Sequence, residues 1–398
     1  MKLFFAVLLA VIAMTLSTFA ATEPWPSVVT GSTLELKILK PTARATNATM
    51  PLVVYLENLA SPRAGTESDA AIIKDFRASG YLVATLDYAG NARARVPFIN
   101  RDLGKLRDDL RAKKLLGDYK LEDAHMYIVP SGCRLLRDVV YYPDTNRTLA
   151  LDIIYPSKPA QPPGALIEFS CDNQKRMGNT SLSICSDTIL DAATTEGFAV
   201  AMADHPMPAP YKGLDAMPDC AWKIKAAVRT LRAEGAPLGL SGKIAAIGFS
   251  RGSGMALMLI TTQGRTEFEG RGAHPDVSSD IQGAVVLSGR FTYLNLLPDD
   301  HMIPRYNQAW GTRAANPSVW RNAGAMDYLT GATTPLFLSI NCSEAPDALH
   351  QMTVLRQRLA ELGSDEVFMM DRTPRGHKVP LDPDILEAMN FYLRNRLN

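Results

Sequence analysis

Five consecutive residues constrain this chain more than any others: Gly248-Phe249-Ser250-Arg251-Gly252. Lys243-Ile244-Ala245-Ala246-Ile247 leads in as a buried-strand pattern, and Met255-Ala256-Leu257-Met258-Leu259-Ile260 leads out as a helix. A serine at such a strand-to-helix turn takes a strained backbone conformation and projects its hydroxyl above the sheet. The flanking glycines let neighbouring backbone approach where a Cβ would block it.

Apolar runs and helical stretches alternate on both sides of that turn. Leu149–Tyr155, Ala165–Phe169, Phe198–Ala203, Gly283–Leu287, Pro335–Ile340 and Glu366–Met370 read as strands. Thr188–Thr195, Asp219–Ala233 and a final stretch from Asp384 read as helices. Alternation of this kind predicts a mostly parallel central sheet with helices on both faces. The first hundred residues echo the same plan. Leu34–Pro41 parallels Leu149–Pro156, Pro51–Asn58 parallels Gly164–Cys171, and Ala71–Asp87 parallels Asp187–Asp204. No second serine turn follows, so residues 21–132 read as an accessory α/β half-domain and charged helical linker (Arg101–Lys114). Residues 133–398 read as the catalytic unit.

The N-terminus sets an expected compartment. Lys2 precedes the apolar run Leu3–Leu16, and Ser17-Thr18-Phe19-Ala20 supplies small residues before Ala21. That chemistry fits a signal peptide over residues 1–20, and hence a secreted or periplasmic protein. The run is short for a membrane span. A net charge of +1 offers nothing for nucleic acid. Five cysteines (133, 171, 185, 220, 342) are too few for a disulfide scaffold, and no His/Cys cluster has zinc spacing. No cofactor or metal is expected. Asn47, Asn146, Asn179 and Asn341 each open an N-x-Ser/Thr sequon.

The serine turn and its setting resemble the α/β-hydrolase superfamily over about residues 133–398. The Ser250-Arg251 pair is also similar to the GxSRxG nucleophile motif of glucuronoyl esterases, and acetyl xylan esterases and prolyl-oligopeptidase-like hydrolases are further relatives to weigh. The resemblance implies a Ser…acid…His order along the chain. His377, in Pro374-Arg375-Gly376-His377 after the last apolar strand, is the expected base. Glu344 is the expected acid, with Asp347 as its rival in the same loop and Asp299 or Asp300, after the preceding strand, as the further alternatives; its role is to fix the histidine tautomer. The oxyanion hole is expected from the backbone of Arg251 and of Cys171 or Asp172.

Arg176, His205 and Arg290 follow strands, where an α/β fold builds its site rim, and are expected to bind substrate. Arg251 and Arg375 share that placement, and Trp222, Tyr211 and Tyr293 are candidates to stack on a sugar. The expected activity is hydrolysis of carboxylic esters through an acyl-enzyme, with a carbohydrate ester as substrate. The alternatives are a prolyl-oligopeptidase-type serine peptidase and a non-catalytic binding protein of hydrolase fold.

Overall fold

A computed structural model describes residues 19–26, 33–42, 49–58, 65–88, 106, 109, 120–143, 148–169, 196–204, 206, 218–332, 335–379 and 382–398. The expected signal core, the 101–114 linker apart from Leu106 and Asp109, and the 188–195 helix lie outside these residues.

Two sheets are built. The larger has eight strands: β6 (Cys133–Tyr142), β7 (Leu149–Pro156), β8 (Ala165–Phe169), β9 (Ala199–Ala203), β10 (Ile244–Phe249), β11 (Gly283–Leu287), β12 (Leu336–Asn341) and β13 (Glu366–Asp371). Their spatial order is β13-β12-β11-β10-β8-β9-β7-β6. Pairing is parallel from β13 through β9, whereas β7 and β6 run antiparallel to their neighbours. Apolar residues fill both faces of the central strands, because helices cover a parallel sheet on both sides.

Alternate residues divide between two buried clusters. Ile167, Ala201, Ala246, Val286 and Leu338 join the cluster that includes α2 (Asp219–Gly235), α3 (Arg251–Thr261) and α6 (Pro346–Glu361). Leu166, Val200, Ala245, Val285 and Phe337 join the other, with Ile385, Met389 and Leu393 of α7 (Pro383–Leu397).

The smaller sheet contains β1 (Phe19–Pro26), β2 (Thr33–Leu39), β3 (Thr49–Glu57), β4 (Leu82–Asp87) and β5 (Lys120–Pro130), with helix α1 (Asp69–Ala78). Its order, β1-β2-β4-β3-β5, repeats β6-β7-β9-β8-β10 strand for strand. The senses repeat too: antiparallel for the first two pairings, parallel for the last two. Cleavage before Ala21 would still leave Ala21–Pro26 paired along Thr33–Ile38.

The second buried cluster also takes in Val53, Tyr55, Phe76, Val83 and Tyr127, so the small sheet packs into the core of the large one. Polar contacts reinforce this junction. Arg134 Nε on β6 donates to Glu67 at 2.8 Å, and the Ser157 hydroxyl donates to the same carboxylate.

Two shorter helices, α4 (Ile303–Trp310) and α5 (Pro317–Asn322), lie between β11 and β12. No described helix is long and apolar enough to cross a membrane.

Candidate active site

Strand β10 ends at Phe249, and Ser250 turns the chain into α3 with φ 56° and ψ −118°. A non-glycine residue in that region carries about 1–3 kcal/mol of backbone strain and needs a surrounding frame to hold it. The frame is visible. Ser250 N donates to Leu287 O at 3.2 Å, and Ser253 donates to Ser250 O from its backbone at 3.2 Å and from its hydroxyl. A Cβ on Gly248 would stand 2.0 Å from Gly252 O, and one on Gly289 would stand 2.5 Å from Ser250 O. Both positions must therefore lack a side chain for the turn to close. The GxSRxG pattern is not met in full, because its last glycine falls on Ser253. That hydroxyl buttresses the turn, and glycines stand on either side of it.

His377 Nε2 lies 3.0 Å from Ser250 Oγ, and Nδ1 lies 2.9 Å from both carboxylate oxygens of Glu344. The imidazole packs beside the Phe249 ring, with centroids 4.6 Å apart. Glu344 is buried and also accepts from Ser288 Oγ at 3.0 Å and from Ala345 N at 3.1 Å. Burial raises its pKa, but the His377 hydrogen bond and charge, the Ala345 N–H and the Ser288 hydroxyl outweigh it. The carboxyl sits below its ordinary value and stays ionised.

The loops carrying Glu344 and His377 are joined at their base by Asn341. This fully buried residue receives Ser343 N, Ser343 Oγ and Arg375 N on Oδ1, and donates from Nδ2 to Thr373 O at 2.8 Å. Gly376 N then donates to Ser343 Oγ at 2.9 Å.

Asp347 faces elsewhere. Its Oδ2 accepts from Arg290 Nη2 and contacts His301 Nδ1 at 2.8 Å, while Oδ1 accepts from Ala348 N. Arg290 also reaches Asp300 Oδ1 at 2.7 Å. Ligand atoms of Asp300, His301 and Asp347 lie within 4.8 Å of one another, but the Arg290 guanidinium already bridges the two acids. Burial lifts Asp347's carboxyl, yet Arg290, the Ala348 N–H and His301 bring it below the usual range.

A cavity of about 540 Å³ opens over Ser250 and His377. Its wall includes Met255, Tyr293, Met302 and Tyr306 together with Arg251, Arg290 and Arg305. Tyr306 stacks on Trp310 at 5.2 Å and meets Tyr293 edge-on at 4.9 Å, so this wall rests on a packed aromatic cluster.

Of the expected site residues, Ser250, His377 and Glu344 converge. Arg251 lines the cavity, and Arg290 lines it with its guanidinium engaged by acids. Arg375 is drawn aside toward Asp371 at 3.6 Å. Trp222 lies under Arg271 rather than on the cavity wall. Cys171, Asp172, Arg176, His205 and Tyr211 lie outside the described residues. Sequence reading missed Ser288, Asn341 and the His301–Asp347 pair. The Ser288-Gly289 step at the end of the β11 run was the one local signal for the first.

No family model matches the chain, and no curated protein matches it in sequence. Solved structures do match in shape. A truncated carbohydrate esterase from gut microbiota superposes with a TM-score of 0.56 at 17% identity, over 66% of this chain and 96% of that one. A bifunctional GH43-CE protein of Bacteroides eggerthii gives 0.54 at 18% identity, over 66% of this chain and 35% of that chain. Apo esterase 2 of Thermogutta terrifontis gives 0.50 at 17% identity, over 66% and 94%. At these identities the likeness is one of fold, the α/β architecture that these hydrolases share.

Proposed function

We propose that this chain is an exported serine hydrolase that cleaves carboxylic esters, with a carbohydrate ester as substrate. One observation carries the catalytic reading. Ser250 Oγ, His377 and Glu344 form an unbroken line of contacts of about 3 Å at the base of a cavity. The fold shared with a carbohydrate esterase supports the substrate class.

Each residue has a defined task. Glu344 accepts from Nδ1–H of His377, which leaves Nε2 free to take the Ser250 proton. Ser250 Oγ then attacks the ester carbonyl. The backbone N–H of Arg251, at the start of α3, is one donor to the oxyanion, and the 171–172 segment supplies the second. His377 passes its proton to the leaving alcohol, and an acyl-enzyme remains. Water, deprotonated by the same histidine, releases the acid and restores Ser250. The small N-terminal sheet is a non-catalytic partial copy of the opening strands. Residues 1–20 are removed on export.

A fluorophosphonate probe tests the chemistry. Wild type should label, and Ser250→Ala should not. Unlabelled wild type, or full labelling of Ser250→Ala, would sink the enzyme reading. Turnover of p-nitrophenyl acetate, set against a proline-containing peptide, separates an esterase from a peptidase. A secreted product beginning at Ala21 tests the export assignment; an intact N-terminus overturns it.

A further inference from the structure

Resting on the carbohydrate-ester reading, we propose that His301 is a substrate-binding residue that holds a hydroxyl of the sugar. Four observations converge on it.

His301 lines the same cavity as Ser250 and His377. Its Nδ1 is tied to Asp347 Oδ2 at 2.8 Å, yet the side chain is 68% exposed. The Asp347 carboxylate can only accept, so it fixes the proton of the neutral ring on Nδ1. Nε2 becomes an acceptor, and among the described residues it meets no partner.

Asp347 is itself braced. Arg290 donates to it and to Asp300, and Asp300 is nearly fully buried. An exposed histidine anchored through two buried acids and a guanidinium is aimed by design of the fold, since a surface imidazole needs no such support.

The opposite character of the neighbouring wall names the ligand. Met302 and Tyr306 follow His301 in the next turn of chain, and Met255 and Tyr293 complete an apolar surface. A sugar ring has this same division, with C–H groups on its faces and hydroxyls around its rim. An apolar wall beside a hydrogen-bonding edge fits that ring, and a short aliphatic alcohol would leave the edge unused.

The wall is also rigid, because Tyr306 is locked against Tyr293, Trp310 and Trp320. A fixed wall holds the ring at one height, so that one rim hydroxyl meets one acceptor.

Matched ester pairs test the assignment: acetylated xylobiose against p-nitrophenyl acetate, and feruloylated arabinose against methyl ferulate. Each pair shares its acyl group and differs in its alcohol. His301→Ala is expected to raise KM for the sugar ester about tenfold, so that the sugar-to-simple-ester ratio of kcat/KM falls by about the same factor, the size of one hydrogen bond. His301→Gln, whose amide oxygen can accept in place of Nε2, should recover most of that loss. An equal fall on both members of a pair, or no change in the ratio, overturns the role of His301 and leaves the esterase standing. Wild type that cleaves the simple esters but neither sugar ester overturns the carbohydrate reading, and this inference with it.

Discussion

The two sheets of this molecule share an order and a set of strand senses over five strands, yet among the described residues the cavity lined by Ser250 and His377 belongs to one of them. The divergence begins where the fifth strand ends. In the large sheet β10 runs into Ser250 and α3, and the serine hydroxyl meets His377. In the small sheet β5 runs into Ser131 and Gly132 and straight on into β6. Ser131 Oγ donates to Asp69 at 2.9 Å, Gly132 N donates to the Tyr55 hydroxyl at 2.9 Å, and Tyr55 donates to Asp69 at 2.7 Å. One serine is strained and offered to a cavity; the other is buried in a satisfied network. Strand order therefore sets where a site could be, and the turn after the fifth strand decides whether there is one.

The sharpest way to press on that contrast is through the proposed triad. Glu344→Gln keeps the shape but lets His377 take the wrong tautomer, so kcat on p-nitrophenyl acetate should fall by about 10³- to 10⁴-fold. A fall of less than tenfold would remove Glu344 from the catalytic line. With its pKa held below the ordinary carboxylate value, Glu344 stays ionised as pH falls through that range, so activity lost there on acidification should not come from protonation of Glu344.

Effects in the small sheet should appear in stability and not in turnover. Ser131→Ala removes one hydrogen bond from the Asp69 network and should cost about 1–2 kcal/mol in urea unfolding, with kcat/KM unaltered. A large loss of activity would mean that the small sheet does more than brace the large one.

The smallest expected effect concerns the junction. Glu67 is lowered from 4.5 to about 2, first by the Arg134 hydrogen bond and then by the Ser157 hydroxyl. A group depressed on folding stabilises the fold above its unfolded value and loses that contribution as pH falls through its folded value. The difference in Tm between wild type and Glu67→Gln should thus be full above about pH 4.5 and close as pH falls toward 2. A difference independent of pH would show that the ion pair contributes little.

Much of the large sheet was legible because buried parallel strands are nearly continuous apolar runs. Ala165–Phe169 and Gly283–Leu287 fall where the pattern puts them, and Ile244–Phe249 starts one residue late. The repeat in the small sheet was legible for the same reason in β2, β3 and β4. The last strand of that repeat was not, since β5 opens with Lys120, Glu122 and Asp123 and has no apolar run before Met126.

Within the site, Glu344 and Asp347 lie three residues apart, and spacing to the following helix favoured Glu344 without excluding Asp347. The structure separates them through their partners, His377 for one and Arg290 with His301 for the other. Ser288 was beyond reach because nothing in a lone hydroxyl announces a carboxylate 56 positions further on.

Asn341 has one more consequence. Asn341-Cys342-Ser343 is a glycosylation sequon, and an oligosaccharyltransferase meets its acceptors before folding is complete. A glycan on this side chain would occupy the place of Thr373 and Arg375 and keep the acid and histidine loops apart. Production in a glycosylating eukaryotic host should therefore give a fraction that carries sugar at Asn341 and no activity, detectable by peptide mapping, whereas a bacterial host should not.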